Sequence, residues 1–152
     1  MADILSPEQR SKNMAAIKSK DTKPEIVIRK LLFSKGYRYR NNCKSIIGKP
    51  DIFLRRYNTA IFIHGCYWHR HKNCRIAYVP KTNLEFWNKK FSDNQERDAI
   101  VQKQLKEAGI KCLIIWECVC RKMMKDDAYA RQIIETAERF LHDPECLFFT
   151  IE

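Results

Sequence analysis

The chain has 152 residues, 45% of them hydrophobic. That is enough to bury one core and too little for two, so a single domain over residues 1–152 is expected. Lysine and arginine number 29 against 18 acids, a formal charge of +11. Nucleic acid is therefore the first partner to consider, because each phosphate neutralised releases counterions. No apolar run approaches the ~20 residues of a membrane span and no secretory signal follows MADILSPEQR, so a soluble, cytoplasmic protein with no membrane association is expected.

A first helix is expected from Ser6, with Pro7 at its first position and Gln9 completing a capping pattern; it carries Arg10, Lys12, Lys18 and Lys20. Thr22-Lys23-Pro24-Glu25 is a second capping box, followed by Val27, Ile28, Leu31 and Leu32 on one stripe and Gly36 as a stop. The period then becomes strand-like. Residues 37–40 alternate, and residues 51–54 and 59–64 are short apolar strands. A reversal between them centred on Tyr57 and Asn58 makes a hairpin in which Asp51 faces His64. After a turn near Pro80 comes a long helix over residues 84–108, broken near Ser92-Asp93 and stopped by Gly109. KCLIIW (residues 111–116) is a buried strand. Residues 126–141 form a helix with Tyr129, Ile133, Ile134, Ala137 and Phe140 at core spacing, and residues 147–151 a closing strand. This order implies an α/β fold, a mixed sheet flanked by helices.

Seven cysteines, an odd number, read in a reducing compartment as metal ligands or core residues rather than disulfides. The segment FIHGCYWHRHKNC, residues 62–74, follows directly on a strand. Cys66, His71 and Cys74 are soft donors at structural-zinc spacing, and a tetrahedral site needs a fourth. Cys118, just past the KCLIIW strand, supplies it if the two strands run parallel; Cys120 and His69 are rival ligands. Cys43, Cys112 and Cys146 are left to packing or to inert exposed thiols.

His64 and Asp51 remain, an imidazole and a carboxylate at a sheet edge. Such a carboxylate binds Mg²⁺ with water and phosphate oxygens completing the shell, the minimum apparatus for phosphodiester hydrolysis. A histidine oriented by an acid such as Asp98 can take the proton of the attacking water, although Asp98 also reads as a solvated helix acid. Glu25 is explained by its capping box, and reaches a hydrated metal only if its helix points at the same edge. Tyr67, Trp68 and Trp87 lie among basic residues and suit wedging between base steps; Phe86 is expected in the core.

These residues resemble the very short patch repair (Vsr) mismatch endonucleases. The resemblance is carried by R-S-K-N-M (residues 10–14), D-T-x-x-E (21–25), G-x-P-D (48–51), F-x-H-G-C-x-W-H (62–69), E-F-W (85–87), N-x-E-R-D (94–98) and W-E-C (116–118). The blocks run in order through about the first 120 residues, while the C-terminal helix and tail, residues 121–152, carry no motif. The resemblance implies a restriction-endonuclease-like fold, bacterial and DNA-associated, that nicks one strand 5′ to the thymine of a T:G mismatch as a monomer. It implies Mg²⁺, with two ions expected, on Asp51 and the backbone carbonyl of Ile63, and His64 at the scissile phosphate. His69 with Asp98 would serve the attacking water and Glu25 would act through metal-bound water. Cys66, His71, Cys74 and Cys118 would hold structural zinc. Tyr67, Trp68 and Trp87 would enter the duplex from the major groove, and Met14, on a DNA-contacting N-terminal helix in residues 1–20, would reach the minor groove. Mismatch-repair proteins are implied partners. The family usually has phenylalanine at Tyr67 and threonine at Ile63, and one residue fewer between His71 and Cys74. Two other readings compete: a nuclease of the same fold with another duplex specificity, and a non-catalytic zinc-stabilised DNA-binding module.

Overall fold

In the computed structural model, which describes residues 6–9 and 20–152, five strands form one sheet in sequence order. They are β1 (Arg40–Asn41), β2 (Ile52–Leu54), β3 (Thr59–His64), β4 (Lys111–Trp116) and β5 (Phe148–Ile151). β1, β2 and β3 pair antiparallel, whereas β3, β4 and β5 run parallel, so the sheet is mixed as the order of elements implied. Among the described residues the helices flanking it are α1 (Lys23–Ser34), α2 (Leu84–Glu107), α3 (Glu117–Met123) and α4 (Asp127–Leu141).

Every residue of β4 before Trp116 is buried, as a strand covered on both faces must be. On one face Ile61, Leu113 and Ile115 join Ile28 and Leu32 of α1, Val119 and Met123 of α3, and Ile134 and Phe140 of α4. On the other, Ala60, Cys112 and Ile114 pack with Phe53 and with Leu105 of α2. A lysine opens β4 without exposing its charge: Lys111 is buried, and its ammonium caps the end of α4 through the carbonyls of Phe140, Leu141 and Asp143.

The capping boxes are both formed. Ser6 and Gln9 exchange bonds of 3.0 and 3.2 Å; Arg10, Lys12, Lys18 and Met14 lie outside the described residues. The Thr22 hydroxyl accepts the Glu25 N–H at the head of α1, and Gly36 ends that helix at φ +93°. No helix among the described residues is long and apolar enough to cross a membrane.

Four local expectations are corrected. The β2–β3 reversal is a 3-10 turn at Arg55–Tyr57 followed by left-handed Asn58, and the register is Ile52↔Ile61. Continued outward, that register sets Asp51 opposite Phe62 and Pro50 opposite Ile63; the shift of two residues keeps each side chain on its expected face but does not pair Asp51 with His64. α2 runs unbroken through Ser92-Asp93, because Phe91 and Leu105 anchor it on both sides of that pair. Residues 37–40 alternate in burial, but only Arg40–Asn41 joins the ladder. α3 was not anticipated: seven residues start directly at the end of β4, too few to show a helical period.

Gly48 turns the chain before β2 at φ +79°, and a Cβ there would run into Val101 of α2 and meet Phe62 at 3.1 Å. Gly36 also has positive φ but faces open space. Gly48→Ala should therefore cost about 2–4 kcal/mol, combining backbone strain with overpacking, and Gly36→Ala only the backbone part of about 1–2 kcal/mol. Urea denaturation of the two variants checks the difference, and equal losses would contradict it.

Candidate active site and metal-ligand cluster

The parallel pairing of β3 and β4 ends on the rung His64↔Trp116, and the loop after β3 and the helix α3 after β4 leave the same edge. Past His64 the chain makes a tight turn in which the His69 N–H returns to the Gly65 carbonyl and the His71 N–H to that of Cys66. This turn lays the His69 ring on the His64 ring, with centroids 3.9 Å apart and planes 6° from parallel. From α2, Asp98 reaches His69 Nδ1 through Oδ2 at 2.6 Å, so Asp98 is not a merely solvated acid. The proton of that bond belongs on Nδ1, which leaves Nε2 as the basic nitrogen.

Asp51 stands at the start of β2, where its Oδ2 accepts the Ile63 N–H at 2.7 Å. The N–H and C=O of one strand residue project to the same side, so the Ile63 carbonyl faces the Asp51 side too. Proline at the opposite rung has no N–H to give it, and the carbonyl is left for another partner. Glu25 lies 4% exposed at the α1 terminus. Its Oε1 accepts the Thr22 hydroxyl at 3.2 Å, and its Oε2 accepts the Asp21 N–H at 2.8 Å and an Arg29 N–H at 3.2 Å. Both oxygens are thus engaged by protein donors.

Burial dominates the electrostatics. Asp51 is pushed up to about 6, first by loss of solvent, against the Ile63 N–H, with Glu25 raising it and Arg29 and His69 lowering it. Glu25 and His69 therefore both lie close enough to Asp51 to act on its charge. His64 is pushed down to about 3 by burial and by neighbouring His69, so it is neutral at physiological pH.

Beside this site Cys66, His71, Cys74 and Cys118 place their donor atoms within 4.8 Å of one another. His71 Nδ1 lies 3.6 Å from Cys66 Sγ and 3.5 Å from Cys118 Sγ. A tetrahedral ion with Zn–S of about 2.3 Å and Zn–N of about 2.05 Å requires an S···N edge of about 3.6 Å. The donor set therefore fits zinc. His71 Nε2 meets the Glu152 carboxylate at 3.0 Å, the outer partner that a ligating imidazole needs, and its ring stacks on Trp116 at 4.3 Å. Glu117 accepts the Cys66 N–H at 3.3 Å. Of the rival ligands, Cys120 is wholly buried in the core and His69 bonds Asp98. Cys43 and Cys112 are buried, as packing residues should be, and Cys146 is partly exposed.

The loop presents a ring cluster. Tyr67 lies edge-on to Trp68 and Trp87, with centroids 5.1 and 5.6 Å away, and Trp68 lies 5.8 Å from Trp87. Asn94 of α2 fixes the loop by donating to the Trp68 carbonyl at 3.0 Å. Phe86, expected in the core, is 60% exposed, because Phe91, five residues further on and so on another side of the helix, is the ring that faces inward. Arg70 lies over the Tyr67 and Phe91 rings and donates to the carbonyls of Tyr67, Ala77 and Tyr78. Arg29, Arg70, Asn94 and Glu152 were missed in the sequence. The Glu25/Arg29 i,i+4 spacing and the place of Asn94 in N-x-E-R-D were the available signals.

The profile of the family described as DNA mismatch endonuclease Vsr matches residues 2–75. The type II nicking enzyme V.NmeAIP of Neisseria meningitidis serogroup A is 42% identical over 143 residues, covering 94% of this chain and 99% of that protein. The type II nicking enzyme V.XorIIP of Xanthomonas oryzae is 38% identical, with coverages of 89% and 98%. The DNA mismatch endonuclease Vsr of Escherichia coli K12 is 39% identical, with 89% of this chain and 87% of that protein covered.

The raised carboxyl has a consequence for stability. With a folded value of about 6 against an ordinary 3.8, Asp51 costs stability as pH rises between those values, and the full cost persists above about 6. Asp51→Asn, which keeps an acceptor for Ile63, should gain on the order of 2 kcal/mol at pH 7 without added divalent cation. The gain should fade toward pH 4, and denaturation across that range checks both sign and window.

Proposed function

Because the chain belongs to the Vsr family of DNA mismatch endonucleases and is a DNA endonuclease like its nicking relatives, we propose that it nicks one strand of duplex DNA 5′ to the thymine of a T:G mismatch, with Mg²⁺ as the catalytic cofactor. The observation that carries the reading is the Asp98–His69–His64 stack at the end of β3, on the edge where Asp51 takes the Ile63 N–H.

Asp51 and the Ile63 carbonyl would hold Mg²⁺, one ion or two, which when bound would supply charge to stabilise the negative charge that develops on the phosphate and the leaving oxygen. Asp98 keeps the proton of His69 on Nδ1, so Nε2 takes the proton of the attacking water. His64, neutral through burial, donates a hydrogen bond to the scissile phosphate without adding a charge that would bind the ground state. Glu25 has both oxygens engaged by Asp21, Thr22 and Arg29, so it shapes the field at Asp51 and meets the metal only through water. Cys66, His71, Cys74 and Cys118 would hold structural Zn²⁺, bracing the loop that carries Tyr67 and Trp68.

With Trp87, these rings would wedge beside the mismatch, where unstacking costs least. Met14 would contact the opposite groove. A lesion carried on one strand is served by a monomer, and mismatch-repair proteins are candidate partners for the repair that follows.

Three experiments test this. End-labelled duplexes differing only in T:G, U:G or a matched pair, incubated with Mg²⁺, should be nicked at T:G; equal cutting of all three would sink mismatch specificity. Asp51→Ala should retain duplex binding and lose nicking, while Asp98→Asn should slow it about 10²-fold. For zinc, metal analysis should give one ion per chain, lost in the Cys74→Ser/Cys118→Ser double variant; zinc retained there would overturn the ligand set.

A further inference from the structure

Behind the carboxylates of the site sits a cation that the proposed chemistry does not use. Arg29, one turn beyond Glu25 on α1, is 7% exposed. Its guanidinium spans four acceptors: Asp21 Oδ1 at 2.7 Å, Glu25 Oε2 at 3.2 Å, the Asp51 backbone carbonyl at 3.3 Å and Asn42 Oδ1 at 3.5 Å. Asn42 in turn donates to Asp21 at 3.1 Å, and its backbone N–H takes the same Asp51 carbonyl at 3.0 Å. One planar fork thus ties the head of α1 to the residue that opens β2.

We infer that Arg29 is a positioning residue for the metal-binding carboxylate, fixing Asp51 and Glu25 relative to one another by bridging their two elements. This rests on the reading of Asp51 as the metal ligand. Three features favour positioning over plain stability. Burying a charge among acids is a poor way to stabilise a fold compared with an apolar side chain of similar volume. Its Nε–H is buried with no partner among the described residues, a cost that packing alone would not retain. The bond to Asp51 is to the main chain, so it sets where the carboxylate starts rather than neutralising it. Lysine cannot replace the fork, since one ammonium on a flexible stem cannot hold acceptors on two elements in a fixed plane.

The sign of the metal response separates positioning from charge. If Arg29 acted only as a nearby cation, removing it would strengthen binding of a divalent ion; if it positions Asp51, removal weakens it. Mn²⁺ binding, followed by the electron paramagnetic resonance signal of the free ion, should be present in the wild type and lost in Asp51→Ala. Arg29→Lys should bind Mn²⁺ at least about tenfold more weakly, and Arg29→Met should also be weaker, with duplex affinity in the absence of metal unchanged in both. Asn42→Ala, at a half-buried neutral partner, should weaken Mn²⁺ binding in the same direction by a smaller factor, and it decides the matter if thermal melting shows the Arg29 variants unfolded. Mn²⁺ affinity equal to wild type in Arg29→Lys, or tighter in Arg29→Met, overturns the inference alone. A wild type with no Asp51-dependent Mn²⁺ binding instead overturns the reading on which it rests.

Discussion

Six parallel rungs between β3 and β4 are the constraint from which the site follows. Because the last rung pairs His64 with Trp116, Cys66 and Cys118 each lie two residues past the same point, Cys66 in the loop after β3 and Cys118 in the first turn of α3. The Cys118 N–H then reaches Cys66 Sγ at 3.4 Å, and donors 52 positions apart in the chain become neighbours. A parallel pair cannot be closed by a tight turn and needs a long crossover. Here the crossover contains α2, which brings Asp98 back to His69 and Asn94 to the Trp68 carbonyl. The segment that makes the parallel pairing sterically feasible thus also supplies the acid and the clamp of the site.

The strands other than β1 were legible because each is a short β-branched or apolar run between turn residues. TAIFIH and KCLIIW read as strands at the bounds they have, and the capping boxes at Ser6 and Thr22 announce their helices. The hairpin register was not legible. It depends on Asn58 adopting a left-handed conformation after a 3-10 turn, and asparagine tolerates that conformation without announcing it. α3 could not be read because seven residues show too little period, and Phe86 and Phe91 sit on one amphipathic helix whose inward face depends on what α2 packs against.

The site divides along the same line. The zinc-type spacing of Cys66, His71 and Cys74 is local, and sequence alone carried it. The fourth donor required only one tertiary assumption, that two strands are parallel. The Asp98–His69 bond and the Arg29 bridge join elements by geometry that no local pattern encodes, and in both cases the simplest reading, a solvated or i,i+4-paired surface charge, describes half of what the residue does. A buried charge shows itself only when the partner across the fold is known.

Burial then explains why these groups are arranged as they are. The same exclusion of water that raises Asp51 to about 6 and lowers His64 to about 3 favours neutral forms in the empty site. The divalent cation proposed for Asp51 would reverse that preference, since it would offer the carboxylate a charge in place of the lost solvent. The fold holds a costly carboxylate beside an already neutral imidazole, and does so on strands too short and too well packed to relax around it. Strain of that kind persists only where surrounding contacts over-determine the position. The Ile63 N–H holds the Asp51 side chain and Arg29 its main-chain carbonyl, so a divalent ion bound there, as proposed, would find its ligand already in place rather than ordering it.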